Sequence, residues 1–437
     1  MRARNNFIAM LSITSIAVLL LPVIPTGGTA VSAVPERRNL ASLAPLASAA
    51  SVILSSGAPA PERRTSTDPL SQSDGPESTN PDSLARPSSD ETATLTAGQE
   101  SSTPQITNSQ FEQRAPAKPL ADEIKAWAAS VSKPEWLGYS VPAVNGDRNV
   151  CCNGSWNDGG CGTCFLEDRR GSNSVSVQSK INLEGPRNLV VLYRAESGSV
   201  GKIRVASENC ALDAGGLKFV WLTGVKSAES VAFLSAFVAG SNLDEHGWEK
   251  PSQGALTAIA LHAGPEADRA MESFVAPQQR ESLRKQAAFW LGAARGASGF
   301  ALLEQMAKSD PSAEVRAQVA FALSVSHEPG AIEEMIRMAH NDESAHVRGQ
   351  ALFWLAQKAG QKAAATITGA IANDPDTEVK KKAVFALSQM PKDEGVPKLI
   401  EVAESNRNPE VRKQAMFWLG QSHDPRALAF FEKVLAH

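Results

Sequence analysis

From residue 283 to the C-terminus the apolar residues return every 32 positions. Leu283, Val315, Val347, Val379 and Val411 hold one register, and Arg284, Arg316, Arg348, Lys380 and Arg412 follow one residue on. Phe289, Phe321, Phe353, Phe385 and Phe417 keep the same spacing, as do Leu291, Leu323, Leu355, Leu387 and Leu419. A finer alternation lies on top: the residue after each Phe is Trp290, Ala322, Trp354, Ala386 and Trp418 in turn. Within a period the spacing is helical twice over. Phe300 to Lys308 and Ala313 to Ser324 are predicted helices on either side of the turn Ser309-Asp310-Pro311. Pro375 and Pro409 stand at or near the start of a second helix, where a missing N–H is harmless. A degenerate unit, Gln253 to Pro277, precedes the five, and Pro425 to Leu435 supplies a last helix. One such pair cannot bury its apolar face alone, whereas stacked pairs share a continuous core. The predicted fold is therefore mostly α, with an α-solenoid over 251–437.

The period breaks down before residue 251. Asp122 to Val131 reads as a helix with Ile124, Trp127 and Val131 on one face. Four strand-like runs follow, Val175 to Asn182, Leu189 to Arg194, Val200 to Ser207 and Leu217 to Leu222, and Ser227 to Val238 reads as another helix. Residues 120–250 are thus expected to form a small α+β module. From 34 to 119 the chain is rich in Ser, Thr, Pro and Ala, without sustained apolar spacing, and is expected to be a disordered linker. At the start, Arg2 and Arg4 precede an apolar run from Phe7 to about Ile24, and Val31-Ser32-Ala33 is a small-x-small cleavage pattern. Residues 1–33 are expected to be an export signal, cut before Val34. The competing reading is an uncleaved anchor, because the run is close to spanning length. The protein is accordingly placed outside the cytoplasm: periplasmic, in the cell envelope or secreted.

Charge narrows the partners. Lys plus Arg is 43 against 47 for Asp plus Glu, a net charge of −4, which argues against nucleic acid or an anionic membrane as the main partner. Membrane contact is expected only through the N-terminal segment. Five cysteines are too few for a disulfide scaffold, and their placement is uneven: Cys151, Cys152, Cys161 and Cys164 cluster, and Cys210 stands apart. In an exported chain disulfides are the first expectation, with a zinc site from the four clustered thiolates and a redox Cys-x-x-Cys pair as alternatives. Haem attachment is excluded because Phe165 stands where His would be required. Glu167, Asp168, Arg169 and Arg170 read as a solvated surface cluster. The seven histidines show no metal spacing, no catalytic constellation stands out, and no cofactor is expected.

The run Val411-Arg412-Lys413-Gln414-Ala415-Met416-Phe417-Trp418-Leu419-Gly420 resembles HEAT repeats, specifically the short bacterial type related to phycobilin lyase repeats. The whole chain also resembles exported bacterial proteins that join a Cys-bearing module to such repeats. The resemblance implies a fold and leaves activity open, since this architecture serves scaffolds, lyases and oxygenases. Deoxyhypusine hydroxylases resemble the array too, but place His-Glu directly after the Val-Arg pair. Here those positions hold Lys285-Gln286, Ala317-Gln318, Gly349-Gln350, Lys381-Lys382 and Lys413-Gln414, which removes a di-iron centre of that kind. No catalytic set for bilin attachment can be mapped.

The remaining candidate is the aromatic series. With Val411 at zero, Ala415, Trp418 and Leu419 mark the core stripe, and Phe417 falls roughly 240° round the helix. Phe289, Phe321, Phe353, Phe385 and Phe417 are therefore candidates for a ladder along a concave face, and the alternative is lateral packing between repeats. The repeated Arg is expected to pair between repeats with acids such as Glu314, Glu378 and Glu410. Trp290, Trp354 and Trp418 are expected to be core. The sequence thus points to an exported, non-enzymatic scaffold that binds a protein or peptide in a HEAT-repeat groove. The alternative is an extracytoplasmic thiol-redox or metal-binding enzyme centred on residues 151–164.

Overall fold

The computed structural model describes residues 103–144, 149–150, 156–157, 163–167, 187–240 and 250–436. The expected export signal, most of the expected linker, the strand expected over Val175 to Asn182, and Cys151, Cys152 and Cys161 lie outside the described residues.

The module is built on a five-stranded sheet in the order β2-β10-β3-β7-β8. Its strands are β2 (Gln110–Arg114), β3 (Glu135–Pro142), β7 (Asn188–Glu196), β8 (Ser199–Ser207) and β10 (Lys218–Leu222). β10 runs parallel to both β2 and β3, and β3, β7 and β8 pair antiparallel. Three shorter strands, β1 (Ile106–Thr107), β6 (Thr163–Phe165) and β9 (Ala211–Asp213), form a second small sheet, and β4 (Asn149–Val150) pairs with β5 (Trp156–Asn157).

One expectation is corrected here. The linker does not extend to residue 119, because β1 and β2 lie within 106–114 and β2 is hydrogen-bonded along β10. The central strand β3 carries no strand signal in the sequence. Its run Glu-Trp-Leu-Gly-Tyr-Ser-Val-Pro is buried from Trp136 to Val141, so both faces are covered and no in-out alternation marks it. Gly138 is required there: a Cβ would lie 2.9 Å from Leu192 Cδ2 and within 3.3 Å of the Phe219 and Trp221 rings.

Helices cover one face of this sheet. α1 (Leu120–Ser130) packs beside α2 (Ser227–Ala239), and α2 packs against α3 (Pro251–Leu261). On the other face Trp136, Leu192, Phe219 and Trp221 form a core with Cys164, Leu166, Cys210 and Leu212. α3 is also the first helix of the stack, so module and solenoid share one core. It lies so close to β8 that a Cβ on Gly254 would sit 2.1 Å from the Ile203 carbonyl oxygen. Its C-terminal end is stitched to β3 by Val144 N–H donating to Leu261 O and Ala263 N–H donating to Pro142 O, each at 2.9 Å.

The stack continues as α4 (Pro265–Val275), α5 (Glu281–Ala294), α6 (Gly296–Ser309), α7 (Ala313–Val325), α8 (Ala331–Asn341) and α9 (Ala345–Ala359). It ends with α10 (Gln361–Asn373), α11 (Thr377–Gln389), α12 (Lys392–Ser405), α13 (Pro409–Ser422) and α14 (Pro425–Leu435). The second helices α5, α7, α9, α11 and α13 lie against one another along the array, and the first helices touch far less.

A buried ion-pair ladder ties each second helix to the next loop. Arg284 forks onto Asp310, Arg316 onto Asp342 and Arg348 onto Asp374, each with bonds of 2.8 and 3.0 Å. The pairing is between repeats, as expected, but the acids are not Glu314, Glu378 and Glu410. The aspartates lie 26 residues after their arginines, at the end of the intervening first helix, where the fork can reach. Each aspartate also accepts the backbone N–H two residues on, from Ser312, Ser344 and Asp376. These paired groups are almost fully buried, a setting in which losing one partner strands the other. At the next step Lys380 replaces Arg and Asn406 replaces Asp together, so no unpaired buried carboxylate results.

Candidate functional site

The five phenylalanines are brought into one row with the tryptophans. Phe289 stacks on Phe321 at 5.8 Å and 15°, and Phe353 stacks on Phe385 at 5.7 Å and 4°. Between these pairs the tryptophans bridge, Trp354 against Phe321 at 4.6 Å and Trp418 against Phe385 at 4.8 Å. Each Trp also meets its own neighbour edge-on: Trp290 with Phe289, Trp354 with Phe353 and Trp418 with Phe417. The Phe-Trp and Phe-Ala alternation is thus a code for contact type, parallel rings at one step and a tilted indole at the next. Such pairs add about 0.5–1.5 kcal/mol beyond their buried area. At the first step α5 and α7 approach closely, with Gly292 facing the Ala322 carbonyl at a distance that admits no Cβ.

Exposure along the row is graded. Phe289 and Phe321 are 6% and 5% exposed, Phe353 and Phe385 are half-buried, and Phe417 is 50% exposed. From the sequence the five equivalent positions could either form a concave ladder or pack laterally between repeats. Phe289, Phe321, Phe353 and Phe385 pack between repeats, whereas Phe417 meets only Trp418 of its own helix among the ring contacts and stays half exposed. The expectation that the tryptophans are uniformly core is corrected too, since Trp290 and Trp354 are half-buried members of the same row. Gln350, Gln414 and Lys382 stand one turn before their phenylalanines and are partly exposed, giving that end a neutral-to-basic polar margin.

Of the cysteines, Cys164 and Cys210 are buried and each is part of a disulfide. A buried, oxidised sulfur is not a reactive thiolate. Among the described residues no group of three or more His, Cys, Asp or Glu is placed to hold a metal ion. Of the charged run expected at the surface, Asp168, Arg169 and Arg170 lie outside the described residues, and the half-buried Glu167 accepts two bonds from Arg194, at 2.9 and 3.1 Å, and one from Trp136 Nε1 at 2.6 Å. The Arg194 guanidinium is raised above its ordinary value, chiefly by that bond to Glu167.

One polar cluster was missed from sequence. Both tyrosines of the chain, Ser230 and His262 are fully buried and hydrogen-bonded in series. Tyr193 OH lies 2.8 Å from Tyr139 OH, Tyr139 OH 2.6 Å from Ser230 Oγ, and Ser230 Oγ 2.8 Å from His262 Nε2. His262 Nδ1 donates to the Ala258 carbonyl at 2.6 Å. Burial holds the His262 imidazole down to about 4 and raises both phenols. The only signal in the sequence was the rarity of Tyr, since the four residues come from β3, β7, α2 and the end of α3.

Comparison with known proteins agrees with the stack. Residues 273–356, 332–416 and 365–437 match the family model for HEAT repeats. This part of the chain is a HEAT-repeat solenoid. No curated protein matches the chain. Solved structures with similarity include human deoxyhypusine hydroxylase in complex with glycerol, at 15% identity and a TM-score of 0.25, over 47% of this chain and 89% of that one. They also include the CpcE–CpcF complex of phycocyanin lyase from Nostoc, at 18% identity and a TM-score of 0.28, over 36% of this chain and 97% of that one. A third is Kap95p bound to RanGDP, at 16% identity and a TM-score of 0.31, over 45% of this chain but only 30% of that one. The HEAT-repeat fold fits a protein-binding scaffold, since stacked repeats offer long continuous surfaces.

Proposed function

We propose that this is an exported, non-enzymatic scaffold protein that holds a protein or peptide partner on the inner layer of its HEAT repeats. The observation that carries this reading is the graded aromatic row. Its buried end makes the layer rigid, and its open end, Phe353, Phe385 and Phe417, offers aromatic surface with a polar margin. Three of the repeated arginines, Arg284, Arg316 and Arg348, which could have served an anionic ligand, are consumed by the aspartate ladder. The bonded Cys164 and Cys210 suit an oxidising compartment and an export signal at residues 1–33.

Two experiments test the two halves of the proposal. N-terminal sequencing of the protein from its native cell should find a mature chain beginning at Val34; an intact Met1 on soluble cytoplasmic protein would defeat the export half. Affinity capture from the native envelope fraction should recover a partner with the wild-type mature chain, and lose it with Phe417→Ser at unchanged helicity. Equal recovery by wild type and Phe417→Ser would remove the aromatic surface from binding.

A further inference from the structure

The Tyr193–Tyr139–Ser230–His262 series does more than fill space. Ala258 O can only accept, so His262 Nδ1 carries a proton, and a neutral imidazole then leaves Nε2 as an acceptor. Ser230 must donate to Nε2, Tyr139 must donate to Ser230, and Tyr193 must donate to Tyr139. Every hydroxyl proton has one assigned acceptor, in one direction. The series runs from the sheet, through α2, into the end of α3, where the stack begins. Beside it, Arg295 reaches the Ala260 and His262 carbonyls, so the first repeats hold the same corner.

We propose that this series is a proton-sensitive joint, in which protonation of His262 uncouples the first helices of the stack from the sheet. A proton on Nε2 turns that atom into a donor facing the Ser230 hydroxyl. The series must then reverse: Ser230 accepts from His262 and donates to Tyr139, Tyr139 donates to Tyr193, and the Tyr193 proton is left in a fully buried site with no acceptor among the described residues. Among the described residues the new charge finds no free carboxylate. From the stack side the facing charge is Arg295, itself cationic, and its partner Asp268 is held by Arg295 and Ser298. From α2, Glu229 is engaged with the Leu120 N–H and Lys226. From β3 and β7 the facing groups are the two tyrosines, which stay neutral, and Arg194 is bound to Glu167 across the opposite core.

The sign follows from His262 being held well below the ordinary histidine value. The joint keeps its full strength above about pH 6.5 and loses it as pH falls toward 4, where protonation favours the opened state about a hundredfold. The experiment is hydrogen exchange by mass spectrometry on the full mature chain from pH 7.5 to 4, corrected for intrinsic rates. Segments 135–142, 227–239 and 251–263 should open in acid while 313–422 stays protected. His262→Gln, which cannot titrate, should flatten that dependence. If the junction segments open no sooner than the repeats, or if the glutamine variant keeps the wild-type acid profile, the proposal is overturned. Should the variant fail to fold, an NMR titration of His262 in the wild-type chain decides: a midpoint below 5 supports the joint, and one between 6 and 7 refutes it.

Discussion

The sheet module and the repeat stack bury comparable cores by opposite means. In the module, strands meet partners far along the chain, as where Gln110 pairs with Lys218 and Leu137 with Tyr193. In the stack every important contact recurs at a fixed offset: Arg to Asp at 26 residues, Phe to Phe at 32. A periodic contact repeats its requirement in the sequence, and a long-range one leaves a single trace. The stack can therefore lose one step and keep its neighbours, as it does at Lys380 and Asn406, whereas the module depends on unique fits such as Gly138 and Gly254.

Gly254→Val breaks this comparison hardest. A side chain there collides with the Ile203 backbone, so α3 must leave β8. Destabilisation of about 4 kcal/mol or more, or loss of soluble protein, is expected from thermal unfolding.

Arg348→Met is next. It leaves Asp374 buried and unpaired, at an expected cost of about 3–5 kcal/mol in denaturant titration. Arg348→Met combined with Asp374→Asn, which imitates the natural Lys380–Asn406 step, should recover much of that loss. The same pair has a pH signature. Burial by itself would raise the Asp374 carboxyl, but the bonds from Arg348 and the Asp376 N–H outweigh it and hold the group below its ordinary value. Its contribution is present above that ordinary value, near pH 4, and is lost as pH falls below it, so the wild type should lose more stability than the double variant under strong acid.

Within the aromatic row the gradient itself can be measured. Phe321→Ala should cost about 3–4 kcal/mol because its ring lies between Phe289 and Trp354. Phe417→Ala should cost about 1 kcal/mol or less, since half of that side chain is already in water. Equal costs would mean that the row is uniformly structural and would leave no free end for a ligand.

The smallest effect has the opposite sign. Gly420 is exposed within α13 with open space where a Cβ would go, so Gly420→Ala should stabilise by about 0.5–1 kcal/mol. The contrast with Gly254 separates a glycine needed for close approach from one that is merely tolerated.

Much of this was legible beforehand. The second-unit helices, the final helix over Pro425–Leu435 and the two hairpin strands β7 and β8 lie where the apolar spacing predicts them. The central strand β3 was hidden, because burial on both faces erases alternation. The acids of the ladder were hidden for another reason: Asp310, Asp342 and Asp374 do keep the 32-residue period, but their pairing needs the length of the first helix between them.

By itself, the sequence determined the unit, the number of times it is used and the order of Phe-Trp and Phe-Ala steps, because a stack demands the same surface from each member. Which rings are covered, which carboxylate meets which guanidinium, and the meeting of two tyrosines, a serine and a histidine from four separate elements in one buried corner are set by how the segments come together in space. Those depend on depth and distance between segments remote in the chain, quantities that no local pattern of side chains encodes.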